Sequence, residues 1–502
     1  MVAGGQALLE LPLAEVRDAV LERGAQLGCS HVDVRIERIR DQFLQLRDGA
    51  VEGAADDLEV GVGVRVVHGE ALGFAGTVAV GPAAARALVD EAVEMARTTS
   101  LAESAPVRLA EEPSHGESSW TAPYGIDPTA VPLSEKVELL GAWSRRLLAA
   151  PGVDHVSASL HAVSEEKHYA DLSGTVTTQH RVRVHPSLEA VALDTPSGSF
   201  ETMRTCAPPV ARGFEYLQGE GWDFEAELEQ LPGWLAEKVA ARSVEPGEYD
   251  LVIDPTNLWL TIHESVGHAT ELDRALGYEA AYAGTSFATP DRLGRLRYGS
   301  ELMQVTGDRT APYGLATVAY DDEGVEATTF DLVRDGVLVG YQLDRRIAAE
   351  QGISRSNGCA FASSPLMVPI QRMANVSLGH AGDAGPTTAE LVAGVERGIY
   401  VVGDKSWSID MQRHNFQFTG QRFYRIAHGR LDGQLRDVAY QSSTTQFWGS
   451  LARLGGAETY LLGGAMNCGK GQPGQVAPVS HGCPSALFER VRVLNVREES
   501  GR

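Results

Sequence analysis

Twice in the first half of the chain the spacing of apolar residues changes from a helical period to a period of two and back. Residues 11–28, LPLAEVRDAVLERGAQLG, carry apolar side chains at helical spacing and end on glycine, as an amphipathic helix does. HVDVRIERI (31–39), DQFLQLRDG (41–49) and EVGVGVRVVHGEALGFAGTVAV (59–80) then alternate. They read as half-buried strands, with turns expected at Asp48-Gly49 and His68-Gly69. A second helix fits 83–99. After a loop-like stretch at 100–132 the order recurs: a helix at 133–150, alternating segments from VDHVSASLHAV to TVTTQHRVRVH, and a helix at 223–242 that Pro232 could interrupt. Such a chain buries its apolar residues by laying helices on a sheet. The recurrence points to an internal repeat.

SVEPGEY, at 243–249, reads as a boundary, because glycine-rich, strand-like segments dominate after it. Turns are expected there at Asp335-Gly336 and Asp432-Gly433. The expected fold class is α/β (α+β), with an N-terminal helix–strand domain at 1–243 and a C-terminal β-rich domain at 244–502. The mix of 43% hydrophobic and 22% charged residues is globular and argues against disorder as the main state.

The densest chemistry lies in TIHESVGHATELD, Thr261 to Asp273. DLVID precedes it, and Asp254 followed by Pro255 is a helix start, so His263 falls about two turns into a helix. His263 and His268 are five residues apart, not the four of the H-E-x-x-H zinc proteases. On a regular α-helix that spacing turns them about 140° away from each other. One inserted residue, a π-bulge, restores a common face, and a bend at Gly267 is the alternative. Two neutral imidazoles suit Zn²⁺, and a catalytic zinc takes a third protein ligand. Glu264 is placed to accept a proton from a metal-activated water. The third ligand is open at this point. Glu271 follows His268 by three residues and could ligate or fix the imidazole from behind; Asp273 reads as a helix-end or supporting charge. Cys468 sits in GGAMNCGKGQPGQ, where Lys470 is expected to favour its thiolate, and His481 and Cys483 in SHGCPSALF are rivals.

Five cysteines in so long a chain do not make a disulfide framework, and Cys29, Cys206 and Cys359 read as packing or loop residues. The formal charge of −24, with Lys/Arg clusters no longer than RIERIR or PDRLGRLR, argues against nucleic acid as a partner. The N-terminus lacks a basic stretch followed by an apolar core, and no apolar run approaches the roughly 20 residues of a membrane span. A cytoplasmic protein with no membrane contact is expected.

The segments HESVGHATELD (263–273), YDDEG (320–324), DGVLVGYQLDR (335–345), RSNG (355–358), DKSWSIDMQRHNFQF (404–418) and GAMNCGKGQPGQVAPVSHGCPSALFERVRVLNV (464–496) resemble the TldD/PmbA family of bacterial and archaeal metallopeptidases. LQLRDGAVEGA and GVGVRVVHGEALGFAGT near the N-terminus are similar to it as well. The resemblance implies a metal-bearing, TldD-like subunit, with one zinc on His263, His268 and Cys468 and Glu264 as general base. It implies a metal-holding C-terminal domain, unfolded or extended peptide substrates that include modified-peptide precursors, and a dimer. The partner in that dimer is a metal-free sister subunit, with a homodimer as the alternative. Arg355 and His414 are candidate substrate-binding residues, with strand-edge or loop hydrogen bonding as the alternative. The departures are GHATELD after the second histidine and the cysteine in SHGCPS, where small residues are common; Cys483 could interfere if it lay near the metal. Two other classes compete. One is a non-catalytic assembly or regulatory subunit with a structural metal, against which the intact Glu264 argues. The other is a cysteine peptidase built on Cys468, which chelator sensitivity would separate.

Overall fold

The first recurrence folds as helix Leu13–Gln26, the long hairpin His31–Arg47 and Ala50–His68, strand Ala71–Thr77 and helix Pro82–Thr99. The second repeats it as helix Leu133–Leu148, hairpin His155–Asp171 and Val176–Asp194, strand Ser199–Arg204 and helix Phe224–Ala240. The leading strands of the two units pair antiparallel, from Asp33 opposite Asp171 to Arg47 opposite Ser157, so both repeats share one seven-stranded sheet. A parallel strand, Glu117–Thr121, completes it. This computed structural model describes residues 7–101, 105–194, 199–471 and 473–499.

Period-two alternation decides what each face of that sheet meets. Val32, Val34 and Ile36 lie under the first helix pair with Val16, Val20, Val89 and Val93. Leu160 and Leu188 pack with Leu140, Leu147, Leu231 and Leu235 of the second pair. The intervening residues are charged, and they too are buried: Arg35, Glu37, Arg65, Glu165, Lys167, Arg181 and Arg183. Most of them meet Tyr320–Gly324 and the carbonyls of Leu315, Thr317, Ala362 and Met367. Lys167 Nζ donates to both oxygens of Asp322, at 2.8 and 3.0 Å. Arg65 pairs with Asp33 at 2.6 Å and with Glu323. The YDDEG motif is therefore an ionic joint between the two halves. Buried charges carry a large desolvation cost and need such partners.

The C-terminal half builds an eight-stranded mixed sheet in the order Arg397–Ile409, Gly247–Ile253, Ala486–Asn495, Val438–Ser443, Asn415–Ala427, Arg430–Arg436, Arg242–Ser243, with Leu451–Leu454 on the third of these. Arg397–Ile409 also pairs with Asn415–Ala427, which closes five of the strands into a ring. Every residue from Pro255 to Arg274 is buried. Leu258, Ile262 and Val266 pack into a core with Phe416, Tyr440, Phe447 and Phe488. Helix Phe224–Ala240 stitches the halves together, since Lys238 Nζ donates to the carbonyls of Thr202 at 3.0 Å and Gln421 at 2.8 Å.

Three local expectations need correcting. The second hairpin turn sits at Gly69-Glu70, both left-handed, one residue later than expected, because His68 still pairs with Ala71. Asp432-Gly433 lies inside strand Arg430–Arg436; the turn is His428-Gly429, and the left-handed Gly433 accommodates an irregular register there. Pro232 does not interrupt its helix, which buried Leu228, Leu231 and Leu235 hold continuous on either side. Among the described residues no helix is long and apolar enough to cross a membrane.

Candidate metal centre and active site

Asp254 caps the motif helix, its side chain accepting from the Thr256 amide at 3.0 Å, and Pro255 takes the first helical position. The α-helix runs to Ile262 and then widens: His263–Gly267 is a π turn, closed by the His268 amide donating to the His263 carbonyl. This is the inserted residue that the five-residue spacing demands. It brings the two rings onto one face, with centroids 4.7 Å apart.

The distortion is clasped from all sides. Ser265 Oγ donates to Thr261 O at 2.5 Å and accepts from Trp448 Nε1 at 2.9 Å. Gln342 Nε2 donates to Gly267 O at 2.8 Å, and Thr270 Oγ1 to Val266 O at 2.8 Å. Position 267 is tight, and any larger residue has to displace the Met373 side chain. A Cβ there would stand 2.7 Å from Met373 Sδ.

Cys468 arrives on the hairpin Leu461–Lys470 and Gln475–Cys483, whose register breaks between Ala465 and Cys468. Such a bulge re-aims a side chain. Its Sγ lies 3.6 Å from His268 Nε2. One donor atom each from His263, His268 and Cys468 falls within a span of 4.8 Å, and all three residues are buried. Two imidazoles and a thiol at that spacing fit a zinc-type ion with a position left for substrate.

Behind the ligands lies a charged scaffold. Glu271 Oε2 accepts from His268 Nδ1 at 2.8 Å, the supporting role open to it from sequence. Lys470 Nζ meets Asp273 at 2.7 Å and Glu271 at 3.1 Å, and Arg274 pairs with Glu271 and Glu279 at 3.2 and 3.0 Å. Burial would raise the Glu271 carboxyl; Lys470 and His268 overcome this and hold it well below the usual range. Burial lowers the pKa values of His263 and, more strongly, His268, which keeps both imidazoles neutral, as metal ligation needs. Lys470 does not activate the thiol as the sequence suggested. Its ammonium is committed to carboxylates, and burial pushes Cys468 up to about 11. A metal-free cysteine nucleophile is thereby disfavoured.

These ligands, with Glu264, line a cavity of about 710 Å³. The N-terminal half contributes Phe43, His161, His185 and Arg204 to its wall, and the C-terminal half Trp259, Trp407 and the strand from Leu461 to Gly469.

Residues 246–495 match the PmbA/TldA metallopeptidase C-terminal domain, and residues 32–96 match domain 1 of the same metallopeptidases. The chain belongs to the PmbA/TldA metallopeptidase family. A metalloprotease of Methanothermobacter thermautotrophicus is 28% identical over 464 residues, covering 92% of this chain and 95% of its own length. A zinc metalloprotease TldD homolog of Saccharolobus solfataricus is 25% identical and aligns over 54% of this chain and 57% of its own. The fold is that of TldE from Thermococcus kodakarensis, with a TM-score of 0.70 at 15% identity, over 95% of this chain and 99% of that one.

Within this PmbA/TldA fold the other candidates scatter. Arg355 is half-exposed on a loop, forking onto Glu112 at 2.6 and 2.8 Å, and it does not line the cavity. His414 also stays out of the cavity wall; its ring packs on Phe287 at 5.2 Å and its amide donates to Asp410 at 2.8 Å. Cys483 is buried against the Pro255 carbonyl, outside the ligand cluster. The sequence reading missed Arg413, one residue before His414. Its Nη1 donates to Glu264 Oε2 at 2.8 Å from a left-handed backbone, φ 62°. No local sequence signal reports this long-range contact.

Proposed function

We propose that this chain is a zinc-dependent peptidase acting on extended or unfolded peptides, with one zinc held by His263, His268 and Cys468 and Glu264 as general base. The carrying observation is the convergence of three buried donor groups within 4.8 Å beside a carboxylate that faces the same cavity. A donor set of two imidazoles and a thiolate favours zinc. A zinc ion held there would supply a Lewis acid able to polarise a peptide carbonyl and activate water. Glu264 takes the proton of the attacking water and passes it to the leaving amine. Arg413 engages Oε2 of Glu264, which fixes the carboxylate and leaves the other oxygen for the proton. The cavity is walled by both halves of the chain, and Glu264 and the three donor residues are buried in it.

The extended-substrate reading draws support from strand Leu461–Lys470. Among the described residues it pairs with one strand, Gln475–Cys483, and Leu461 and Gly463 to Gly469 line the cavity. A free strand edge there binds a peptide main chain with little regard for its side chains. A dimer, with a metal-free sister subunit of the same family or a second copy, draws support from exposed apolar groups around the site. Trp407, a cavity residue, is 54% exposed, Met411 56% and Tyr282 58%. Nucleic acid and membrane are left out as partners, and the five unpaired thiols favour the reducing cytoplasm.

The test is a cleavage assay on an unfolded peptide and on a compact folded protein, with Glu264→Gln as control. The expected result is zinc-dependent hydrolysis of the peptide alone, lost in the zinc-loaded Glu264→Gln protein. Equal cleavage of the folded substrate removes the extended-peptide reading, and full activity after zinc removal removes the metal.

A further inference from the structure

The third histidine at the centre is His481, fully buried on the hairpin strand opposite Cys468's. Its Nδ1 lies 2.9 Å from the Val376 carbonyl, and its Nε2 lies 2.7 Å from His263 Nδ1. A carbonyl oxygen only accepts, so His481 Nδ1 carries the hydrogen. A neutral imidazole carries one N–H, so with the hydrogen on Nδ1 its Nε2 is bare and accepts. His263 must then carry its own hydrogen on Nδ1, and its Nε2 is left with a free lone pair.

The same logic runs on the other ligand. His268 Nδ1 donates to Glu271 at 2.8 Å, ahead of a 3.4 Å approach by Arg274, and its Nε2 is the nitrogen that meets Cys468. The two ligating imidazoles thus have different supports, a carboxylate for His268 and a second imidazole for His263.

We propose that His481 is a positioning residue: it hands the Val376 carbonyl's acceptor preference through its ring to His263 and so fixes that ligand's tautomer and orientation, without itself ligating the metal. Both nitrogens of His481 are occupied, so no lone pair remains for an ion. The ring is also immobilised, stacked on Trp259 with planes 10° apart and centroids at 6.2 Å. The Val376 carbonyl belongs to strand Asn375–Leu378, which hydrogen-bonds into the sheet with Val305–Asp308. The proposal rests on the reading of His263 as a zinc ligand, and its test separates the two.

The variants are His481→Gln, which can accept from His263 and donate to Val376, and His481→Phe, which keeps the bulk and the stacking but neither hydrogen bond. Zinc affinity is measured by competition with a chromogenic chelator. Selective 15N labelling of the histidines reports the His263 tautomer in the metal-free proteins. The expected result is a 10- to 100-fold weaker zinc affinity in the Phe variant, the loss typical of removing such a support, with Gln close to wild type. His263 is expected to be Nδ1-protonated in wild type and Gln and mixed in Phe. Wild-type zinc affinity and an unchanged tautomer in the Phe variant overturn the proposal. So does an equal loss of zinc in Gln and Phe while His263 keeps its Nδ1 proton in both, since that is the signature of a direct ligand. Wild-type protein that takes up no zinc removes the metal reading instead, and the tautomer measurement still decides the role of His481.

Discussion

At the scale of the residue, the centre is a set of short side chains whose chemistry is fixed by what stands behind them. Cys468 shows this most directly. Alone, its buried thiol is pushed up to about 11, and a bound cation beside it would draw off the proton. Cys468→Ala is therefore expected to lose zinc with no loss of fold, read by elemental analysis beside far-UV circular dichroism. Retention of zinc at one ion per chain would move the third ligand elsewhere. Arg413 is the second case. Removing it leaves the Glu264 carboxylate without its charged partner, and a charge-assisted hydrogen bond contributes about 1.5–3 kcal/mol. Arg413→Ala is expected to lower kcat by roughly 10- to 100-fold, with KM and zinc content little changed and Arg413→Lys recovering part of the loss. A parallel fall in zinc content would mean that Arg413 holds the site together and does not act through Glu264.

At the scale of the element, the π turn and the ionic joint carry the predictions. Met373 approaches Gly267 closely at the end of the π turn His263–Gly267. Gly267→Ala forces that contact, and overpacking of this kind costs about 1–3 kcal/mol. A lowered melting temperature together with weaker zinc binding is expected; a variant as stable and as tight as wild type would show that the Met373 side chain can yield. In the joint, Asp322→Asn leaves Lys167 buried beside Glu37 and Glu165 with its nearest partner neutralised. Breaking a buried pair from one side costs about 3–5 kcal/mol, while replacing both partners with apolar groups is often neutral. Denaturant titration should therefore find Asp322→Asn much less stable than the double variant Asp322→Leu, Lys167→Met. The reverse order would refute the account of the joint as a mutually compensated pair.

At the scale of the whole molecule, the cavity exists because two sheets meet. Lys238 is one of the groups that fixes how they meet, and burial lowers its pKa to about 7 from about 10.5. Between those values the unfolded chain holds a proton that the folded one lacks, so stability attributable to this group rises with pH across the window. The penalty is complete below about pH 7 and gone above about pH 10.5. The stability difference between wild type and Lys238→Met should shift in favour of wild type from pH 6 to pH 10; a flat difference would mean that the amine stays charged in the folded state.

Much of this molecule is a consequence of local pattern. Alternation named the paired hairpins, the recurrence of helix and strands appears as two units joined through their leading strands, and Asp254-Pro255 set the start of the motif helix. The five-residue histidine spacing already required a distortion, because the geometry of a helix is a property of the backbone and not of its surroundings. Other features depend on which distant segments share a face, and no local period encodes that. Glu271 rather than a ligand sits behind His268 because Lys470 and Arg274 hold its carboxylate there. Arg413 reaches Glu264 from a hairpin 149 residues away, whereas its neighbour His414 turns onto Phe287. Arg355, read from sequence as a substrate residue, is taken by Glu112 across 243 positions. The sequence by itself determined the elements and the donor types. The tertiary structure alone decided which donors meet, because burial and ion pairing are sums over segments that only the folded chain brings together.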